Sequence, residues 1–357
     1  MNKRRFTPAI LLLFAMSVLL YACKDDPPDV IITKPQEPSP SDTFILKTSS
    51  EMPDLLIPAD NPLTKNGVAL GRFLFYDPIL SGNGKQACGD CHNLGRGFTD
   101  NQKAVSEGIR GLKGDRNSMP IFNLMWNKKL FWDGSAMTLR QLALMPIENP
   151  VEMDARVTEV VAKLNSSVFY RDHFKKAFGT ENITDTLLAK ALEQFLLTII
   201  SDDSKFDRVN RGLDKFTPSE EAGFEIMKQK GCFGCHTGIL MHDNDFHNVG
   251  LDLAFKDKGK GGFTKIPTEI GKFKTPSLRN VALTGPYMHD GRFASLQEVI
   301  KFYDEDVHLD SPNITFDKME IIRRNRLSDV QKKDILAFLN TLTDQTFLNN
   351  AAYKNPF

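Results

Sequence analysis

The chain has 357 residues, 41% of them hydrophobic and 25% charged; this is enough apolar chain for more than one buried core and excludes a protein that stays unfolded. Its 45 basic and 45 acidic side chains cancel, so no overall field draws it to nucleic acid or to an anionic membrane surface. A charged docking patch, if one is used, has to be local.

The first element in chain order is an export signal. Lys3, Arg4 and Arg5 precede an apolar run from Ala9 to Leu20, too short for a comfortable membrane span. The run closes on Leu20, Tyr21, Ala22 and Cys23, which resembles the lipobox of bacterial lipoproteins, with Tyr21 an imperfect fit. Residues 1–22 are then removed and Cys23 carries the lipid; the alternative is an ordinary signal peptide with an incidental cysteine. Residues 23–50, Pro-rich and polar as far as about Asp42, are read as a disordered tether. The expectation is a periplasmic or cell-surface lipoprotein that meets the membrane only through its lipid.

The other four cysteines form two copies of one pattern: Cys88, Gly89, Asp90, Cys91, His92 and Cys232, Phe233, Gly234, Cys235, His236. In CxxCH, two thiols three positions apart can each add to a vinyl group of one porphyrin, and the imidazole of the next residue reaches the iron. A structural disulfide leaves the histidines unexplained. A redox dithiol would need a βαβ context, and a zinc site would need its CxxC pairs close together rather than about 140 residues apart. The motifs predict two covalently bound haem c groups, with His92 and His236 as iron ligands.

Between and after the motifs the pattern is helical. Asn61 and Pro62 are expected to open a helix before the first motif. Leu187, Leu188, Ala191, Leu192, Phe195 and Leu196 recur at helical spacing between Thr184 and Ile200. Thr217, Pro218 and Glu220 make a capped start for a helix that runs into the second motif, and another follows Ser328. No stretch alternates convincingly as a strand. The fold class is therefore mainly α, with two cytochrome c-like haem domains and long loops: residues 51–205 around the first haem and 206–357 around the second.

More motifs stand in register around these. Phe131, Trp132, Asp133 and Gly134 are followed by Pro146 to Met153; after the second CxxCH come Thr275 to Val281 and Thr284 to Gly291. With two CxxCH motifs in this order, the chain resembles the bacterial diheme cytochrome c peroxidases and their relative MauG, over about residues 50–345. The resemblance implies that the first haem is the peroxide site and that Glu152 shuttles a proton between the peroxide oxygens, a task suited to a carboxyl group in hydrogen-bond reach. It implies that Trp132 relays electrons between the haems. It also implies a calcium ion held by Asn117 with the backbone carbonyls of Thr284 and Pro286. On the residues alone, Glu152 could be a solvated glutamate and Trp132 a core aromatic.

Three departures from the family pattern matter. No histidine lies between His92 and His173, so the loop Gly108 to Gly114 lacks the histidine that blocks the resting first haem in many relatives; the expectation is a first haem open to peroxide without reductive activation. Fourteen residues after His289, where the peroxidases place a methionine ligand to the second haem, stands Tyr303, as in MauG; Met288 or another Met or His is the rival. The family's distal glutamine is Leu142 here, with Gln141 one place early. His242 and His247, beside Asp243 and Asp245, are expected to meet solvent, and His289 to have a pocket or propionate role.

The leading expectation is a peroxidase that reduces hydrogen peroxide with electrons from a small c-type cytochrome or cupredoxin. The second is a MauG-like oxidase that spends the stored equivalents on a protein or small organic substrate. The third is a diheme electron carrier without enzymatic activity. Peroxidases of the family are often homodimers; nothing in this sequence bears on that.

Overall fold

The computed structural model describes residues 42–100, 102–323 and 326–357. The signal segment and Cys23 lie outside the described residues. The tether expected over 23–50 ends sooner than its composition suggests, because Phe44 and Leu46 supply apolar surface that packs on the core, and the Phe44 amide donates to the Leu63 carbonyl.

The chain is mainly helical. Its first half holds α1 (Lys65–Tyr76), α2 (Cys88–Cys91), α3 (Leu139–Glu148), α4 (Val157–Ser166), α5 (Val168–Phe178) and α6 (Asp185–Thr198). The second holds α7 (Lys205–Asn210), α8 (Pro218–Gln229), α9 (Gly259–Thr264), α10 (Leu296–Lys301), α11 (Phe316–Arg323), α12 (Asp329–Asn340) and α13 (Gln345–Asn349). The one ladder among the described residues is a pair of two-residue strands, β1 (Phe246–His247) against β2 (Phe273–Lys274), antiparallel.

Several helix starts fall where the sequence places them. Thr184 caps α6, Thr217 and Glu220 form a capping box on α8 with Pro218 in its first turn, and Ser328 caps α12. The helix before the first motif starts later than expected. Thr64 caps it, its hydroxyl accepting from the Gly67 amide, while Asn61 turns inward to the Lys190 carbonyl and the Glu193 carboxylate.

Both halves use one packing device. The helix ahead of each haem motif carries a glycine where its partner helix comes close: a Cβ at Gly71 of α1 would sit 2.0 Å from the Ala191 carbonyl oxygen of α6, and one at Gly223 of α8 would sit 2.0 Å from the Asp334 carbonyl oxygen of α12. Around α1 and α6 lies a large apolar core with Leu70, Leu74, Leu188 and Phe195 fully enclosed; around α8 and α12 lies a second, with Met227, Ile335 and Phe338.

The expected division at residue 205/206 does not hold for the end of the chain. Phe347 and Tyr353 belong to the first core, not the second. Asp344 turns the chain back: its buried carboxylate accepts from the Ser201 hydroxyl and from the amides of Asp202, Asp203 and Phe347, and its own amide donates to Asn280.

Candidate functional site

The first CxxCH is a single helical turn. Asp90 closes it by accepting from the Ala87 amide, and the Tyr76 ring lies against Gly89. Neither thiol is in a disulfide, and burial pushes Cys88 up to about 12, helped by neighbouring Cys91 and by the charges of Glu152 and Asp90. His92 is oriented by its Nδ1, 2.8 Å from the carbonyl of Phe98. Burial lowers its pKa, which keeps the imidazole neutral and able to ligate through Nε2.

The second CxxCH repeats the scheme on a different turn. Cys232–Gly234 is a 3₁₀ turn, and the His236 Nδ1 lies 3.1 Å from the Pro276 carbonyl and 3.3 Å from that of Met241. Burial takes His236 down to about 4. Beside it opens a cavity walled by Cys232, His236, Leu278, Ile300, Tyr303 and Leu339, among others, an overwhelmingly apolar surface. Paired free thiols, a neutral histidine fixed through Nδ1 and an apolar cavity next to them fit haem c.

Tyr303 and its rival Met288 both line this cavity. The Tyr303 phenol is pushed well above its ordinary value by burial and then by Cys235 and Cys232, which places it near that motif. Its helix is not regular. The capping box of Ser295 and Glu298 starts α10 as the sequence indicates, and although at Phe302–Asp306 the chain widens into a π-helical turn, Tyr303 still lines the same cavity as Leu296 and Ile300. Such turns recur at functional positions because they re-aim one side chain.

Glu152 lies in the turn after α3. The Asn149 side-chain amide donates to its carboxylate at 2.7 Å, and burial, only partly opposed by that bond, raises its pKa above the ordinary carboxylate value. The loop without a histidine packs on this segment, the Ile109 amide donating to the Glu152 carbonyl at 2.9 Å. Gln141 does not replace the family's glutamine: it is exposed and accepts from the Met137 amide, and Leu142 packs on the first core.

Trp132 is buried on the wall of the cavity beside the second motif, its indole N–H donating to the Asn117 carbonyl at 2.9 Å. Asn117 adjoins Ser118, whose hydroxyl reaches the Cys91 carbonyl at 3.5 Å, so a short backbone stretch links the indole to the first motif. Asn117, Thr284 and Pro286 all line one cavity, and the Asn117 amide nitrogen donates to the carbonyls of Lys103 and Ala104, turning its side-chain oxygen away from those acceptors.

The histidines expected at the surface are buried. His242 and His247 are 6% and 9% exposed; the His247 Nε2 lies 2.7 Å from Asp243, and the Lys318 ammonium joins the same carboxylate at 3.3 Å. Lys318 comes from α11, which the local sequence does not connect to this loop. His289 stacks on Phe273 at 3.8 Å between ring centres, with the Arg116 guanidinium on the same ring.

Asp100 was missed in the sequence. It is 3% exposed, and neither carboxylate oxygen has a hydrogen-bond partner among the described residues; only Lys103 approaches, at 3.6 Å. Its charge acts on both Cys91 and His92. The one signal available was its place eight residues after His92.

The family described as di-haem cytochrome c peroxidase matches residues 65–215. The chain is 35% identical over 317 residues to the methylamine utilization protein MauG of Methylorubrum extorquens, covering 87% of this chain and 88% of that protein. It belongs to the di-haem cytochrome c peroxidase and MauG family. Another member, cytochrome-c peroxidase IdrP1 of Denitromonas iodatirespirans, is 36% identical over 327 residues, covering 82% and 85% of the two chains. Among solved structures, a MauG-like protein associated with microbial copper homeostasis superposes with a TM-score of 0.81 at 33% identity, covering 88% of this chain and 99% of that one. Membership implies two c-type haems and an oxidoreductase of peroxidase or MauG type.

Proposed function

We propose that this family member is a peroxidase that reduces hydrogen peroxide to water with electrons from a small c-type cytochrome or cupredoxin. The observation that carries the reading is Glu152: a carboxyl group withdrawn from water, held by the Asn149 amide, and near enough to Cys88 to act on its thiol. Haem c attached through Cys88 and Cys91 and ligated by His92 would supply the iron at which peroxide is reduced. The chain's own part is proton handling. Glu152 takes the proton from one peroxide oxygen and returns it to the other, so that the departing oxygen leaves as water.

Trp132, fixed by Asn117 on the wall of the cavity beside the second motif, would relay electrons between the two haems. Asn117, Thr284 and Pro286 would hold a calcium ion through oxygen donors, and Tyr303 would ligate the second haem. That last residue favours a second reading. A phenolate stabilises higher iron oxidation states than a thioether does, as a MauG-like oxidase of a protein or organic substrate requires.

The test is the ferric protein mixed with one equivalent of peroxide, without reductant, followed by reduced cytochrome. An immediate spectral change with rapid cytochrome oxidation supports the peroxidase. An oxidised state that persists and consumes cytochrome slowly supports the oxidase; low-spin haems that respond only after reduced cytochrome is added indicate a gated peroxidase, and haems that stay unresponsive even then refute both.

A further inference from the structure

We propose that the segment of residues 344–357 is a positioning device for His92, the residue that would ligate the iron of the first haem. The inference rests on haem attachment at His92 and not on the choice between peroxidase and oxidase.

The His92 Nδ1 hydrogen bond ends on the carbonyl of Phe98, and that carbonyl points as it does because Phe98 has φ +59°. This is left-handed backbone, which a bulky L residue adopts only when its surroundings impose it. The Phe98 side chain is fully enclosed. Its ring meets Phe75 at 6.0 Å, Phe347 at 5.8 Å and Tyr353 at 6.4 Å between centres. Two of these three contacts come from the end of the chain.

That end is itself fixed to the first core. The Tyr353 hydroxyl donates to the Thr198 carbonyl at 2.7 Å and accepts from the Ile200 amide at 3.2 Å; the Tyr76 hydroxyl donates to the Tyr353 carbonyl, and the Arg72 guanidinium to that of Lys354. Asp344 anchors the start of the segment. Rings and hydrogen bonds therefore pass the position of the chain end through Phe98 to His92.

The second motif supplies an internal control. Met241 stands where Phe98 does, buried at φ +55° with its carbonyl toward His236, but His236 has a second acceptor in Pro276, and the Met241 carbonyl also accepts from the nearby Leu278 amide. Among the described residues none of 344–357 is hydrogen-bonded to His236, Met241, Pro276 or Leu278; the nearest link is Asp344 to Asn280. A donated Nδ1–H strengthens an imidazole as a ligand and fixes its plane, so loosening the segment should weaken the iron–histidine bond of the first haem only.

The experiment is resonance Raman and electron paramagnetic resonance spectroscopy of the mature diheme protein and of Phe347→Ala and Tyr353→Leu. The expected result is a downward shift of the first haem's iron–histidine stretching band and an altered first-haem resonance, with the second haem unchanged. Tyr353→Phe, which keeps the ring and loses only the hydroxyl's bonds to Thr198 and Ile200, should give a smaller shift than Tyr353→Leu in the same direction. If Phe347→Ala fails to load haem, Phe347→Leu should give a smaller shift in the same direction. Variants that hold two haems, melt earlier and leave the band unmoved would overturn the proposal and leave the proposed function standing; a native protein without haem at Cys88 and Cys91 would overturn both.

Discussion

Glu152 does its work because it is kept from water and still keeps one amide donor. Glu152→Gln should lower peroxide turnover by about 10²- to 10⁴-fold while the resting spectra stay native, as stopped-flow mixing would show. The pH profile follows from the sign of the shift. The ionised form accepts the first proton, and burial raises the pKa, so activity should fall as pH drops through a value above 4.5, the ordinary value for this group. Tyr303→Met should raise the second haem's reduction potential in a spectroelectrochemical titration, because a thioether favours the reduced iron. At this scale the sequence was uneven. The CxxCH motifs carry their own chemistry, whereas Glu152 and Trp132 were readable only by family resemblance, and His247 looked like a loop residue because Lys318, which joins its Asp243 partner, lies far along the chain.

Helix pairs hold the motifs in place, and here local rules served better. Capping boxes at Thr217 and Ser295 fixed the starts of α8 and α10, since a cap depends on four consecutive residues. The π-helical turn at Tyr303 was not legible, because hydrophobic spacing cannot distinguish a widened turn from a continued helix. Gly223→Ala should cost about 1–3 kcal/mol by forcing α8 from α12, read by denaturant unfolding. The Arg279–Asp207 pair, each side chain 1% exposed, ties the loop after the second motif to α7, the guanidinium also donating to the Ile239 carbonyl. Arg279→Ala should cost about 3–5 kcal/mol, since it strands a buried carboxylate. Burial alone would raise the pKa of Asp207; Arg279 and Ser204 more than offset this and leave it lowered. The pair's contribution is thus present above the unfolded carboxylate value and is lost as pH falls through the folded one.

Over the whole molecule, the duplicated motif reads as two similar units, and a helix pair with a glycine at its close contact, α1 with α6 and α8 with α12, accompanies each motif. The return of the chain end was invisible, because nothing near Phe347 or Tyr353 names a partner; the Tyr76 to Tyr353 hydrogen bond closes a separation of 277 residues. Asp344→Ala should release this end, and calorimetry should then show the first core melting ahead of the second. The same closure bears on how the protein is made. The first core cannot close on the segments around the first motif alone, since Phe347 and Tyr353 join it from far along the chain. The first core should therefore lock only once that part of the chain has been made, which would leave the first motif open to cofactor attachment in the meantime.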